Sequence, residues 1–460
     1  MRKVLCLAYH FPPVGGAAVQ RNARLIGHLP DFGYETVVVT GLGRRESHWT
    51  PQDETLQRDL PTSADVRRLP GESGIVESGR WRGRAERWLG LDTPWSRWWT
   101  EGVLAVAPEL PPDIEIIYAP LVPFDSFRSA HRLSEMLGKP LVVDLNDPWA
   151  LDEMMVYPSR LHRASARRTM QAALSGADGV VMNTPEATAR VRSTFQSLGT
   201  TPIVTIPNGF SCDDFATAAR ERDDSAFRIV HTGYLHTEQG LEHRRLRHLH
   251  RLLGGTLSNV DILTRSHVFL VEAVEQLRNR EPELEPIEVH LAGVLTPADS
   301  EVAARSDAVK LHGYVPHSRA LELLRSADLL FLPMHEVTEG RRVGIIPGKT
   351  YEYIAARKPI LAAVPDGDAR DLLLAAGNAT ICRPSDVDAI AEAIAMQVRR
   401  KRDGEPTAGP TDEFLARLEW RCRSRELARL FDLILDKRLS GEGRVDTGIG
   451  TAAGAQTPRL

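Results

Sequence analysis

Cysteine is scarce in this chain. Its four residues, Cys6, Cys212, Cys382 and Cys422, lie far apart in 460 positions. There is no Cys-x-x-Cys pair and no Cys/His cluster at zinc spacing, which argues against a structural zinc site. Reduced thiols fit better than a disulfide framework, and the expected location is the cytoplasm. An excess of one charge is also lacking. The 57 Lys+Arg and 61 Asp+Glu leave a formal net charge of −4, so no global field favours nucleic acid or a membrane. No window approaches the ~18 apolar residues of a spanning helix. The opening MRKVLCLAY has too short an apolar run, and no small-residue cleavage site, for a signal peptide; it reads as a first buried strand. No G-x-G-x-x-G opens the first helix, which disfavours a nicotinamide oxidoreductase.

What is present is the composition of an ordinary globular enzyme, 42% apolar and 26% charged. The length suggests two domains. Short continuous apolar runs alternate with helical patterns, as in parallel strands covered on both faces. One set falls at 4–9, 35–40, 115–119, 140–145, 178–183 and 202–206. A second falls at 227–233, 287–293, 308–313, 328–333, 359–364 and 379–382. Strand and helix repeated this way predict doubly wound parallel sheets. The break between the sets is the turn tripeptide Pro207-Asn208-Gly209. The expected division is an N-terminal domain at 1–207 and a C-terminal domain at 208–410. A helix at 411–437 is expected to pack back on the first domain, followed by a disordered tail at 438–460. Ser385 is the expected start of the helix that follows the last strand.

Two stretches carry candidate chemistry. In FPPVGGAAVQR (11–21), Gly15 and Gly16 remove Cβ atoms between a strand and a helix, where backbone can approach a ligand. The helix N-terminus beyond offers free amides to an anion. The competing reading is an ordinary glycine turn, about as common. In GIIPGKTYEYIAARKPIL (344–361), Pro347 suits the first turn of a helix. Lys349 and Glu352 then share one face. A phosphate can accept from Lys349 and the helix amides, and the Glu352 carboxylate can accept two ribose hydroxyls. The competing reading is a surface ion pair worth under ~1 kcal/mol.

These stretches, with IPNGF (206–210), HTGYLHTEQG (231–240), HLAG (290–293) and HGYVPHSRALELLRSADLLFLP (312–333), occur in the order seen in glycosyltransferase family 4. The chain resembles that family, in the subgroup reading Pro-x-Lys-x-x-Glu-Tyr. The resemblance implies an α/β GT-B fold: two Rossmann-like parallel-sheet domains with a C-terminal helix crossing back to the first. It implies retaining transfer of a hexose-type sugar from a nucleotide diphosphate sugar to a hydroxyl acceptor in glycan, glycolipid or natural-product biosynthesis. UDP is favoured and GDP is the alternative; no metal or other cofactor is required. The implied donor-binding set is Gly15, Gly16, Tyr314, Val315, Gly344, Ile345, Ile346, Lys349 and Glu352. Arg265, before the helix HVFLVEAVEQL, matches the phosphate-binding arginine.

Two positions depart from the family pattern. Gly344 stands where the family often has a first glutamate, with Glu336 or Glu339 as substitutes. Asn146 and Asp147 stand where the family often has a histidine. Asp147 is therefore the candidate to touch acceptor or sugar, with Arg21 and Asn146 on the acceptor side; an Asx turn before Pro148 explains Asp147 equally well. The catalytic set is Asp147, Lys349 and Arg265. Cleavage of a sugar–phosphate bond leaves negative charge on the diphosphate, and fixed cations and helix amides can neutralise it without a metal.

The Trp/Arg segment 80–99 admits a membrane-surface contact, a sugar-stacking role, or a packing loop with snorkelling arginines, the last weighted highest. The basic, His-rich segment 236–264 reads as a solvated helix with one packed face, or as a patch for an acidic substrate. It has no carboxylate or cysteine at metal-ligand spacing. The expected partners are donor and acceptor, with no nucleic acid; the chain is expected to be a monomer or homodimer. The other function classes are a UDP-sugar 2-epimerase of the same fold and a non-catalytic nucleotide-sugar-binding subunit.

Overall fold

A computed structural model describes residues 1–41, 53–61, 63–75, 78–89, 91–216, 225–256, 259–284 and 286–440. Its first sheet contains β1 (Arg2–Leu7), β2 (Tyr34–Thr40), β3 (Asp65–Arg68), β4 (Ile114–Pro120), β5 (Leu141–Leu145), β6 (Gly179–Met182) and β7 (Ile203–Thr205). The second contains β8 (Phe227–Thr232), β9 (Ile287–Ala292), β10 (Val309–Gly313), β11 (Leu329–Pro333), β12 (Ile360–Ala363) and β13 (Ala379–Cys382). The orders are β3-β2-β1-β4-β5-β6-β7 and β10-β9-β8-β11-β12-β13. All neighbouring strands run parallel. Each order reverses beside the first strand of its sheet, and a doubly wound sheet binds ligands at such a reversal, outside the carboxyl ends of the strands. The two reversals, after β1 and β8, open on the same cleft.

Every strand except the edge strand β3 was visible in the sequence as an apolar run. β3 reads DVRR, has no apolar signal, and is only partly buried at the sheet edge. The helix Val387–Arg402 starts one residue later than expected, because Asp386, not Ser385, accepts the Ala389 amide.

The helix Trp420–Leu439 leaves the second domain and crosses to the first. Its Trp420, Leu427, Phe431 and Ile434 are buried with Val4, Tyr34 and Tyr118. Burial of each such side chain contributes roughly 1.5–3 kcal/mol. Gly179 on β6 makes room for it, since a Cβ there would come within 2.6 Å of Ile434 Cδ1. Where the chain crosses, Phe210 N donates to Leu418 O (3.2 Å) and Trp420 N donates to Phe210 O (3.0 Å). Of the expected tail at 438–460, Arg438 and Leu439 still belong to this helix and Ser440 ends it; the rest lies outside the described residues.

Segment 80–99 forms the helix Arg80–Leu89 and the start of the helix Pro94–Val106, whose amides Thr93 caps. Trp95 and Trp99 are buried against Tyr9, and the Trp98 indole donates to Pro70 O (2.9 Å). The packing reading holds for these three. Trp81, by contrast, is 79% exposed. Among the described residues, no helix is long and apolar enough to cross a membrane.

Three seams join the domains around the cleft. Thr184 Oγ1 donates to Gly344 O (2.8 Å), and Glu186 N donates to the Asp368 carboxylate (2.8 Å). Tyr314 OH and His317 N both donate to Asp53 Oδ2 (3.1 Å each). Tyr157 N donates to Gly255 O (2.9 Å) and Arg160 N to Leu253 O (2.8 Å).

Candidate active site

The cleft between the domains has a volume of about 890 Å³. That is near the upper end for a small-molecule site and leaves room for two substrates. Much of its wall comes from turns after strands, so the sheets set those positions.

On the first domain, the chain leaves β1 through Gly16, which has φ +108, a value other residues rarely adopt. No side chain caps the helix Ala17–Gly27, so its first amides are left for a ligand or water. Gly16 and Ala17 line the cleft; Gly15 is buried behind them. The turn after β5 brings in Asn146 and Asp147. Buried Asn146 Oδ1 and Asn183 Oδ1 have no protein partner. The Asx turn in this loop belongs to Asp152, whose Oδ1 accepts the Met154 amide at 2.8 Å. The Asp147 carboxylate opens into the cleft, walled round by protein.

Arg265, from the second domain, lies near both carboxylates across the cleft. Burial raises the Asp147 value, opposed by Arg265 and Arg21. Burial, together with the nearby Asp147 charge, pushes Asp152 up to about 7. Burial holds the Arg265 guanidinium below its ordinary value, with Asp147 and Asp152 opposing. The cleft thus holds a cation, a carboxylate open to ligand, and a carboxyl group that titrates near neutrality.

Lys349 begins the short helix Lys349–Ala355. Its ammonium lies 3.1 Å from His231 Nε2. His231 Nδ1 is 2.9 Å from Phe331 O. That carbonyl can only accept, so Nδ1 carries the proton and Nε2 offers its lone pair to Lys349. Burial, reinforced by Lys349, holds His231 neutral, well below its ordinary value. Lys349 is itself lowered well below the usual lysine range by burial and by Arg265, with Glu352 opposing. An arriving diphosphate would restore its charge. The backbone leaves space for this lysine at Gly233, φ +99, where a Cβ would come within 2.8 Å of Lys349 Nζ.

Glu352 accepts from His317 Nε2 at 2.8 Å. Burial works to raise the Glu352 value, but His317 prevails and holds it below. His317 is raised: burial opposes its charge, and Glu352 outweighs burial. Lys349 and Glu352 therefore turn to different partners within the cleft wall and do not form a surface pair. Tyr314, Val315, Ile345 and Ile346 line the same wall. Asp53 and His317 were not singled out in the sequence. Asp53 meets the wall across 261 and 264 positions and His317 meets Glu352 across 35, so neither residue's contacts leave a local pattern.

Three expectations are corrected. Arg21 does not face an acceptor: it is 1% exposed, pairs with Asp144 at 2.9 Å, and donates to Asn208 Oδ1 and Ile206 O. It ties the first sheet to the interdomain connection. Gly344 does not line the cleft. Its carbonyl takes the Thr184 hydroxyl, and a Cβ there would come 3.3 Å from Ala187 N and Glu186 Cγ. Nor does Glu336 or Glu339 replace the missing glutamate: both reach Arg383, Glu336 also takes the Ser385 hydroxyl, and neither lines the cleft. The helix Thr237–Leu252 of segment 236–264 is solvated over most of its length and packed on one face through Thr237, Gly240 and His243, as its sequence pattern suggested. It presents His243, Leu246 and His250 to the cleft. Among the described residues, no group of three or more His, Cys, Asp or Glu is arranged to hold a metal ion.

Residues 255–399 match the family model described as glycosyl transferases group 1. No curated protein sequence matches the chain. Among solved structures, it resembles a sucrose-phosphate synthase from Thermosynechococcus elongatus at 12% identity and TM-score 0.62, covering 95% of this chain and 100% of that one. It resembles Anabaena Alr3699/HepE in complex with UDP at 15% identity and TM-score 0.54, covering 94% and 100%. It also resembles the UDP-GlcNAc 2-epimerase from Methanocaldococcus jannaschii at 9% identity and TM-score 0.50, covering 94% and 100%. The fold is GT-B: two parallel-sheet Rossmann-like domains face one cleft.

Proposed function

We propose that the chain is a retaining, metal-independent glycosyltransferase of the family 4 type, moving a hexose-type sugar from a UDP-sugar to a hydroxyl acceptor. GDP is the alternative base. One observation carries the reading. Lys349, braced by His231, stands beside Arg265 on the wall of an interdomain cleft, with Glu352 one helical turn further on. All three lie within the matched stretch 255–399.

Glu352 takes the ribose hydroxyls, in exchange for or alongside His317. Lys349, Arg265 and the open amides after Gly16 take the diphosphate. As the sugar–phosphate bond breaks, positive charge grows on the anomeric carbon and negative charge on the leaving oxygen. The two cations stabilise that oxygen because they are fixed before the reaction starts. Asp147 faces the sugar or the incoming hydroxyl, and the leaving phosphate takes the acceptor proton. A cytoplasmic location, with surface contact through Trp81, belongs to the same proposal.

The test is UDP release from UDP-glucose and UDP-GlcNAc by wild type and by Lys349→Ala and Glu352→Ala. Each variant should lose tenfold or more in kcat/KM, about 1.4 kcal/mol. Wild-type rates in folded variants would remove the assignment. Activity is expected to survive EDTA; loss restored only by Mg²⁺ or Mn²⁺ would contradict the metal-free mechanism. Asp152, titrating at about 7, also favours a second reading as a UDP-sugar 2-epimerase, which needs a group that exchanges a proton. Isomerised donor without transfer to an added acceptor would select that reading.

A further inference from the structure

The cleft is also lined by residues that the donor reading leaves unused, and these form its second arm. One wall is the helix Thr237–Leu252. Gln239, His243, Leu246 and His250 recur every three or four residues, so a single helical face lies along the cleft. The loop that brings in Met155 and Val156 also lines the cleft. The two are tied together where Tyr157 N and Arg160 N donate to Gly255 O and Leu253 O. The helix lies just ahead of the stretch matched by the family model.

Two imidazoles mark the arm as a site. His243 is 5% exposed, and neither of its ring nitrogens has a protein partner. His250 stacks beside it, with ring centroids 6.4 Å apart and planes at 14°, and its Nδ1 is likewise buried without a partner. A buried polar atom left unpaired costs about 1–3 kcal/mol, so a ligand that pairs these atoms would gain from the site. Burial and the neighbouring His250 both hold His243 below its ordinary value. A neutral ring offers one donor and one acceptor. That suits a hydroxyl, which is also both, better than a phosphate, which only accepts. The helix's arginines do not line the cleft, whereas Glu242 does. The arm therefore lacks the cations an anionic ligand needs.

We propose that the face of this helix carrying Gln239, His243 and His250 binds an uncharged, hydroxyl-rich ligand, a saccharide or polyol, as the acceptor of the transfer. The acceptor role rests on the donor reading above; the saccharide site does not.

Glucose, maltose and sorbitol, titrated into the full chain with and without saturating UDP, test this through the histidine ring NMR signals. At least one of them should shift the His243 and His250 signals. His243→Ala and His250→Ala should weaken that binding fivefold or more and leave UDP affinity within twofold. His243→Gln, which keeps a donor and an acceptor, should stay within threefold of wild type. Inorganic phosphate should move these signals less than the sugars do. The proposal is overturned if none of the three moves these signals, if the alanine variants bind like wild type, or if phosphate moves the signals more. Failure of wild type to bind UDP would instead sink the donor reading, with the sugar titration still read without UDP.

Discussion

At the scale of single residues, the cleft works through atoms that already have something to exchange. His231 is a positioning residue: its Nδ1 proton is spent on Phe331 O, which turns its Nε2 lone pair toward Lys349. His231→Phe should raise the KM for donor fivefold or more, while His231→Gln, which can still accept from the ammonium, should recover most of the loss. Equal losses in both would assign His231 to packing alone. The His317–Glu352 pair gives a pH prediction. His317 is raised above its ordinary 6.5, so its contribution to stability is full below 6.5 and lost as pH rises through the raised value. Glu352 is held below its ordinary 4.5, so its contribution is full above 4.5 and lost as pH falls through the lowered value. The Tm gap between wild type and His317→Gln should be widest between pH 4.5 and 6.5 and shrink toward pH 9. A gap that grows toward pH 9 would contradict the pairing.

At the scale of elements, the first turn after β1 and the short helix after Pro347 were legible because glycine and proline punctuate them in sequence. Their neighbours were not. Arg21 lies in the same motif as Gly16 and read as an acceptor contact; only the approach of β5 and the 206–208 segment shows that its guanidinium is filled by Asp144, Asn208 and Ile206. Arg21→Ala should leave a buried carboxylate unpaired and cost about 3–5 kcal/mol, read by chemical denaturation. A loss under ~1 kcal/mol would put Arg21 back among the substrate contacts. Gly344 fails as a donor residue for a similar reason: what it touches, Thr184 and Ala187, belongs to the other domain. The histidine helix had a readable apolar and basic period, but periodicity cannot say whether a face meets core, solvent or a ligand cavity.

At the scale of the whole molecule, thirteen strands of the described residues fall into two sheets whose winding reversals face each other. Twelve of them were apolar runs in the sequence, and so the fold was largely legible. The closing of the cleft was not, because the Asp53 seam and the 253–256 seam are made by loops without pattern. The crossing helix Trp420–Leu439 holds the halves in register. Phe431→Ala, at a fully buried position, should cost about 3–5 kcal/mol and lower Tm by several degrees. The arrangement amounts to a diphosphate cradle built from Lys349, Arg265 and the amides after Gly16. A crystal soaked with UDP measures this directly. The account predicts diphosphate oxygens within hydrogen-bonding reach of Lys349 Nζ and Arg265, with the ribose hydroxyls on Glu352. UDP seated away from the 345–352 wall, in crystals where the cleft stays open to solvent, would contradict it.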